Sequence, residues 1–181
     1  MPDTPTASKP IQFVRLLEDD GTWKCFEDNW RSQCENLDED FDSYAEATFS
    51  VVRDLIQQEH RKAGVFGLKD GDTFLAMCQI NTTPLPKYTG PVLRVRYMTL
   101  SPEYDLTNKT MSEYGNVLVK LLGEVLELAY LDDELKSHHI KFHLRSPADQ
   151  QFFSALGLTL KEYDLFASIE TRGSWLYISR K

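Results

Sequence analysis

Arg94, Arg96, Tyr97 and His143 are the side chains whose type and spacing could do chemistry in this chain. Arg94 and Arg96 lie two apart in an alternating run, so they share one face of a strand. Two guanidiniums there can grip a carboxylate or phosphate through paired hydrogen bonds, or pair with acids of the chain itself. Tyr97 is the one titratable side chain on that run besides the arginines, and a phenol with a pKa near about 10 is a poor base at neutral pH. His138, His139 and His143 surround a short strand. His139 and His143 share a face but stand about 13 Å apart along it. One metal ion cannot reach both, so no metal site is expected. Cys25, Cys34 and Cys78 are odd in number and far apart, which suits reduced thiols in a cytoplasmic protein. No Ser-His-Asp or Cys-His spacing, no G-x-x-x-x-G-K-[ST] loop and no G-x-G-x-x-G turn is present.

The gross numbers describe a globular domain. A chain of 181 residues can bury a real core, with 41% apolar and 27% charged residues. No apolar run is long enough to span a bilayer. Met1–Pro10, with three prolines and no apolar core, reads as a flexible tail, and residues 11–181 as one domain. The net charge of -8 is concentrated: Glu18 to Glu46 holds eleven acids against Lys24 and Arg31. That distribution argues against nucleic-acid binding. It could attract an amine or a basic protein, or serve as a solvated face.

The elements that must position these residues follow from periodicity. Ile11–Leu17 reads as a strand, and Gly21–Glu35 as a helix with Trp23, Phe26 and Trp30 on one side. Ser43 and Glu46 suggest a capping box for a helix over Tyr44–Lys62, with Phe49, Val52, Leu55 and Ile56 buried and Gly64 ending it. A hairpin over Ala63–Lys69 and Thr73–Asn81 turns at Asp70-Gly71. Leu93–Leu100 alternates, with Leu93, Val95, Tyr97 and Thr99 on one face and Arg94, Arg96, Met98 and Leu100 on the other. Ser112–Tyr130 is a long amphipathic helix, and Ile140–Leu144 a short strand. Ser146-Pro147 opens a helix that Gly157 closes. Leu160–Thr171 and Ser174–Arg180 form a last hairpin around Arg172-Gly173. The order predicts an α+β fold with a mixed, mostly antiparallel central sheet flanked by helices.

Three stretches carry a resemblance. Leu100-Ser-Pro-Glu-Tyr is similar to the end of strand four in the GNAT (Gcn5-related N-acetyltransferase-like) superfamily. Tyr114-Gly115-Asn116-Val117-Leu118 resembles the last glycine of that family's phosphate turn and the helix it starts. Ser146–Leu158 resembles the family's "N-x-x-A-x-x-x-Y-x-x-x-G-F" segment. The resemblance covers roughly residues 64–181 and implies a divergent GNAT-like member. It implies acetyl-CoA as cosubstrate, with pantetheine along Met98, Thr99 and Leu100. The phosphates would lie over Asn108, Lys109, Thr110, Tyr114, Gly115 and Asn116. It implies an acetyltransferase acting on a small cationic amine or a basic protein, with Trp30 and Arg96 touching the acceptor. His143, on the strand bordering the family's cleft, becomes a candidate base beside Tyr97. GNAT-like proteins often dimerise, and the edge strands of the last hairpin could pair between copies.

The chain also departs from the family pattern. The turn from Glu103 to Gly115 holds a single glycine, and Asp105 and Glu113 flank the expected phosphate position. Phe153 stands where the family often has a tyrosine acid. A catalytically degenerate binding or regulatory module, working through the acidic N-terminal face or the open cleft, is therefore the alternative to an acyltransferase.

Overall fold

The computed structural model describes residues 11–181, so the expected tail Met1–Pro10 lies outside the described residues. The elements are β1 (Ile11–Arg15), α1 (Thr22–Asn36), α2 (Phe41–Phe49), α3 (Arg53–Gln57), β2 (Ala63–Asp70), β3 (Thr73–Pro84) and β4 (Pro91–Leu100). They continue with α4 (Pro102–Asp105), α5 (Met111–Leu131), β5 (His139–His143), α6 (Pro147–Glu162), β6 (Ser168–Arg172) and β7 (Trp175–Ser179). All seven strands join one sheet in the order β1-β2-β3-β4-β5-β7-β6. Only β4 and β5 run parallel, so the mixed, mostly antiparallel α+β architecture is as expected.

Two cores lie on opposite faces of the sheet. Phe66, Leu68, Val95, Leu100, Ile140, Phe142 and Ile178 pack with Leu118, Leu121 and Val125 of α5 and Phe153 of α6. The other core joins Trp23, Phe26, Trp30, Phe49, Val52 and Ile56 from α1 to α3 with Val65, Phe74 and Met77 of the sheet. That second core takes nothing from β4, β5, β7 or β6, so α1–α3 cover the β1–β3 end of their face and reach β4 only at its last residues.

Several boundaries differ from the sequence reading, each for a local reason. The expected helix Tyr44–Lys62 is two helices. Asp40, not Ser43, is the cap, and its carboxylate accepts from the Ser43 N–H at 3.0 Å. Ser50, Val51 and Val52, a run of weak helix formers, separate α2 from α3. Gly64 lies inside β2, where a Cβ would meet the Arg15 guanidinium at 2.9 Å. α5 starts at Met111, one residue before the expected Ser112, behind the cap Thr110. Gly157 does not end α6, which runs on to Glu162 and shortens the last hairpin.

The difference that matters most is in β4. Met77 pairs with Thr99 and Gln79 with Arg96, so two steps on β3 answer three on β4. Tyr97 is the extra residue and takes a left-handed φ of 52°, a conformation rare for an aromatic residue and typical of a bulge. The bulge reverses the alternation. Met98 and Leu100 join Leu93 and Val95 in the α5/α6 core, while Thr99 shares the Arg94/Arg96 face. The β4–β5 ladder stops at Val95 and Phe142, just before the bulge. Beyond it β4 continues to Leu100 without β5 beside it, and after His143 the chain follows β7, with Leu144 N–H donating to Ser174 O at 2.9 Å.

Candidate functional site

A cleft of about 350 Å³ opens where β4 and β5 part. Its wall is the end of β4 (Met98, Thr99, Leu100), with Tyr44 and Thr48 from α2, Asp105 and Leu106 at the end of α4, Tyr114 from α5, and Arg145, Ser146 and Asp149 at the β5–α6 junction. Each contributor is held by a local device. Ser101 precedes Pro102 at the first turn of α4, which swings Asp105 back toward β4. Ser146 and Asp149 cap α6 reciprocally, each side chain accepting from the other's N–H at 3.0 Å.

Polar contacts tie the walls together. Tyr44 Oη donates to the Leu100 carbonyl at 2.7 Å. Tyr114 Oη donates to Asp149 Oδ1 at 2.6 Å, joining α5 to α6, and Asp149 is only 3% exposed. Arg145 Nη1 donates to Thr99 Oγ1 at 3.2 Å across the split. Asp105 sits on the rim with much of its surface exposed, yet burial around its carboxyl raises its pKa, outweighing the opposing pull of the Tyr44 hydroxyl and Arg145, and Asp149 adds a little to the rise. Tyr44 and Tyr114 are also pushed up, above all by burial, so both phenols stay protonated.

The residues expected to hold the donor divide into two groups. Met98, Thr99 and Leu100 line the cleft, with their β5-side edge free of ladder partners. At the start of α5 the setting is different. Thr110 N–H and Oγ1 both donate to Glu113 Oε2, at 2.9 and 2.8 Å, and Glu113 N–H donates to Thr110 Oγ1 at 3.2 Å. Lys109 pairs with Glu103 at 2.7 Å, while Asn108 and Asn116 are exposed. Tyr114 belongs to the cleft wall through Asp149. Gly115 is buried under α6, where a Cβ would stand 2.6 Å from Phe152 Cε2.

Trp30 must be corrected. It is 0% exposed, and its indole N–H donates to Phe74 O at 3.1 Å inside the α1–α3 core, so no acceptor can touch it. Arg96 lies outside the cleft on the adjoining sheet face, its Nε donating to Gln79 Oε1 at 3.1 Å. Tyr97 and His143 flank the split without lining the cleft. The Tyr97 ring lies beside Arg96, and the His143 ring stands 4.7 Å from Trp175. Phe153 is fully buried against Phe142, so the position where the resemblance places an acid faces the core. Sequence reasoning missed Tyr44, Arg145 and Asp149. The S-x-x-D spacing of Ser146 and Asp149 was the available signal for the last.

The architecture has the GNAT fold. It is similar over 95% of this chain and 100% of the other to a probable acetyltransferase from Staphylococcus epidermidis, with a TM-score of 0.55 and 14% identity. Two further solved structures are an N-acetyltransferase from Staphylococcus aureus Mu50 (TM-score 0.48, 13% identity, 94% and 98% covered) and the Campylobacter jejuni N-acetyltransferase PseH in complex with acetyl coenzyme A (TM-score 0.45, 14% identity, 95% and 99% covered). No family profile and no curated protein matches the sequence. Among the described residues no helix is long and apolar enough to cross a membrane.

Proposed function

We propose that this protein is an N-acyltransferase that moves an acetyl group from acetyl-CoA to an amine in the cleft between β4 and β5. The observation that carries the reading is the parting of these two parallel strands after Val95 and Phe142, with the cleft at its mouth. An unpaired strand edge is suited to hydrogen bonding the amide groups of a pantetheine arm. The start of α5 fits the donor's phosphates less well. Lys109 and the amides of Met111 and Ser112 would favour them, while Glu103 and Glu113 oppose them.

Asp105 and Asp149 make the cleft acidic, with Arg145 the one cation on its wall. Such a wall draws in an ammonium ion. With its pKa raised, Asp105 is a stronger base than an ordinary carboxylate and is the residue we assign to take the amine proton. The amine nitrogen then forms its bond to the thioester carbonyl carbon, and the carbon–sulfur bond breaks. The departing thiolate is stable enough to leave and takes up, through water, the second proton that the nitrogen sheds as the amide forms, so Phe153 in place of a tyrosine is no barrier. Holding amine and thioester together supplies much of the acceleration.

A second reading, the GNAT fold kept for binding without transfer, is favoured by one observation: α5 caps itself with Glu113, and Lys109 is already paired. Calorimetric titration with acetyl-CoA, followed by an amine screen against wild type and Asp105→Asn, tests the two. Saturable binding and turnover that Asp105→Asn lowers by about 100-fold or more support transfer. Binding without turnover of any amine supports the second reading, and no binding at millimolar acetyl-CoA refutes the first.

A further inference from the structure

The sheet face that α1–α3 leave uncovered is basic and aromatic. The α5/α6 core takes Ile140, Phe142, Leu176 and Ile178, so by strand parity His139, Lys141, His143, Trp175 and Tyr177 point the other way, beside Arg94 and Arg96. Arg94 sits directly across from Lys141 on β5 and Asn81 on β3. Lys141 Nζ lies over the Trp175 and Tyr177 rings at 4.6 and 4.7 Å. Arg172 is neutralised by Glu170 at 3.1 Å. Arg94, Arg96 and Lys141 have no ion-pair partner among the described residues.

Their positive charge is thus uncompensated, in a chain whose net charge is -8. Arg94 Nε is buried with no hydrogen-bond partner, an arrangement that costs free energy until something accepts from it. Burial, and then the charge of Arg96, also press the Arg94 guanidinium below its usual value, which an anion would reverse. The acids concentrated between Glu18 and Glu46 do not supply one: Asp28, Glu27 and Asp42 pair instead with Lys24 and Arg31.

This face leads into the cleft. Thr99, on the cleft wall, shares the face with Arg96, three residues away with one of them in the bulge. That is about 7–10 Å of strand. We infer that the acceptor carries an anionic group, a carboxylate or a phosphate, set back from its amine along β4, and that Arg94, Arg96 and Lys141 bind it. The inference rests on the acyltransferase reading and narrows it. The amine end meets Asp105 while the anionic end lies on the arginines. A basic protein, repelled by this face, is not the acceptor.

Trp175 gives a readout independent of turnover. The chain has three tryptophans; Trp23 and Trp30 are 7% and 0% exposed in the α1–α3 core, and Trp175 alone lies on the basic face. Tryptophan emission is titrated with inorganic phosphate and, separately, with succinate, in wild type, Arg94→Gln/Arg96→Gln, Arg172→Gln and Trp175→Phe. The expected result is a saturable change with at least one anion, lost in Trp175→Phe, weakened at least tenfold in the double variant and retained in Arg172→Gln. The stronger of the two anions identifies phosphate or carboxylate as the group. Near-ultraviolet circular dichroism and acetyl-CoA binding of the double variant show that its fold and donor site persist. Equal affinity in wild type and the double variant, or no response of wild type to either anion, overturns the inference. If wild type responds to the anion but does not bind acetyl-CoA, the anion site stands and the transfer reading fails.

Discussion

Replacing Gly115 with alanine separates two uses of that glycine. In a phosphate turn, glycine lets the backbone come close to a ligand. Here the added Cβ would stand 2.6 Å from Phe152 Cε2 and 3.1 Å from Cδ2, against an ordinary carbon contact of about 3.5–4.0 Å. The partly buried Phe152 ring also rests against Phe153, at 5.3 Å between centroids, so it must shift by roughly 1 Å against that contact. Overpacking of this kind costs about 1–3 kcal/mol. Alanine inside a helix returns about 1 kcal/mol relative to glycine. Gly115→Ala therefore destabilises by roughly 0–2 kcal/mol in wild type. In a Phe152→Ala background the clash is gone, and the same change stabilises by about 1 kcal/mol. Urea midpoints of the four proteins give the coupling, expected at about 1–3 kcal/mol. A coupling within error of zero would refute the packing account. If acetyl-CoA affinity then fell with Gly115→Ala in both backgrounds, the glycine would belong to the donor instead.

Four other outcomes follow from the geometry. Tyr114→Phe removes the hydrogen bond to the buried Asp149 and should cost about 1.5–3 kcal/mol in urea unfolding, since the acceptor is a carboxylate; a change within error of zero would mean the α5–α6 tie is worth nothing. Trp30→Ala should lose about 3–5 kcal/mol of stability, while Trp30→Phe, folded at reduced temperature, keeps the acceptor KM; a changed KM would return Trp30 to the acceptor site. Asp105 has a raised pKa in the folded state, so its stabilising contribution is present below about pH 3.9, the unfolded value, and is lost as pH rises through the folded one. Asp105→Asn should thus be at least as stable as wild type at neutral pH and lose the rise of kcat/KM with pH, and an unaltered pH profile would remove Asp105 as the base. Glu113→Gln keeps the capping geometry but removes a charge that its bonds to Thr110 hold ionised, so acetyl-CoA should bind more tightly, most clearly at low salt; unchanged affinity at every salt concentration would place the phosphates elsewhere.

The fold was legible where a single pattern governed a segment. The α5 stripe of Val117, Leu118, Leu121 and Val125, the Ser146-Pro147 helix start and the Asp70-Gly71 hairpin all emerge close to their expected places. The errors arise where two signals competed. Ser43 looked like a cap because Glu46 followed it, but Asp40 stands about one turn earlier and its carboxylate takes the Ser43 N–H, so Ser43 already lies in the first turn of α2. Gly157 looked like a helix end, but it lies within α6, with Ile169 of β6 the nearest contact for a Cβ. The cleft was half legible. Met98, Thr99 and Leu100 could be placed through the resemblance carried by Leu100-Ser-Pro-Glu-Tyr, a local match, while Tyr44 and Asp149 meet the cleft only through tertiary packing. The bulge at Tyr97 was invisible, because an alternating sequence does not reveal a register shift against its neighbour. Trp30 was misplaced because an aromatic stripe on a helix reads the same whether it faces a cleft or a core.

Amide hydrogen exchange of the full chain, with and without saturating acetyl-CoA, tests the central claim most directly. If the parted strands form the donor cleft, the amides of Met98–Leu100 should become protected by at least tenfold while those of β6, on the far edge of the sheet, stay unchanged. Unchanged exchange along β4 at millimolar acetyl-CoA, or protection confined to other elements, would contradict it.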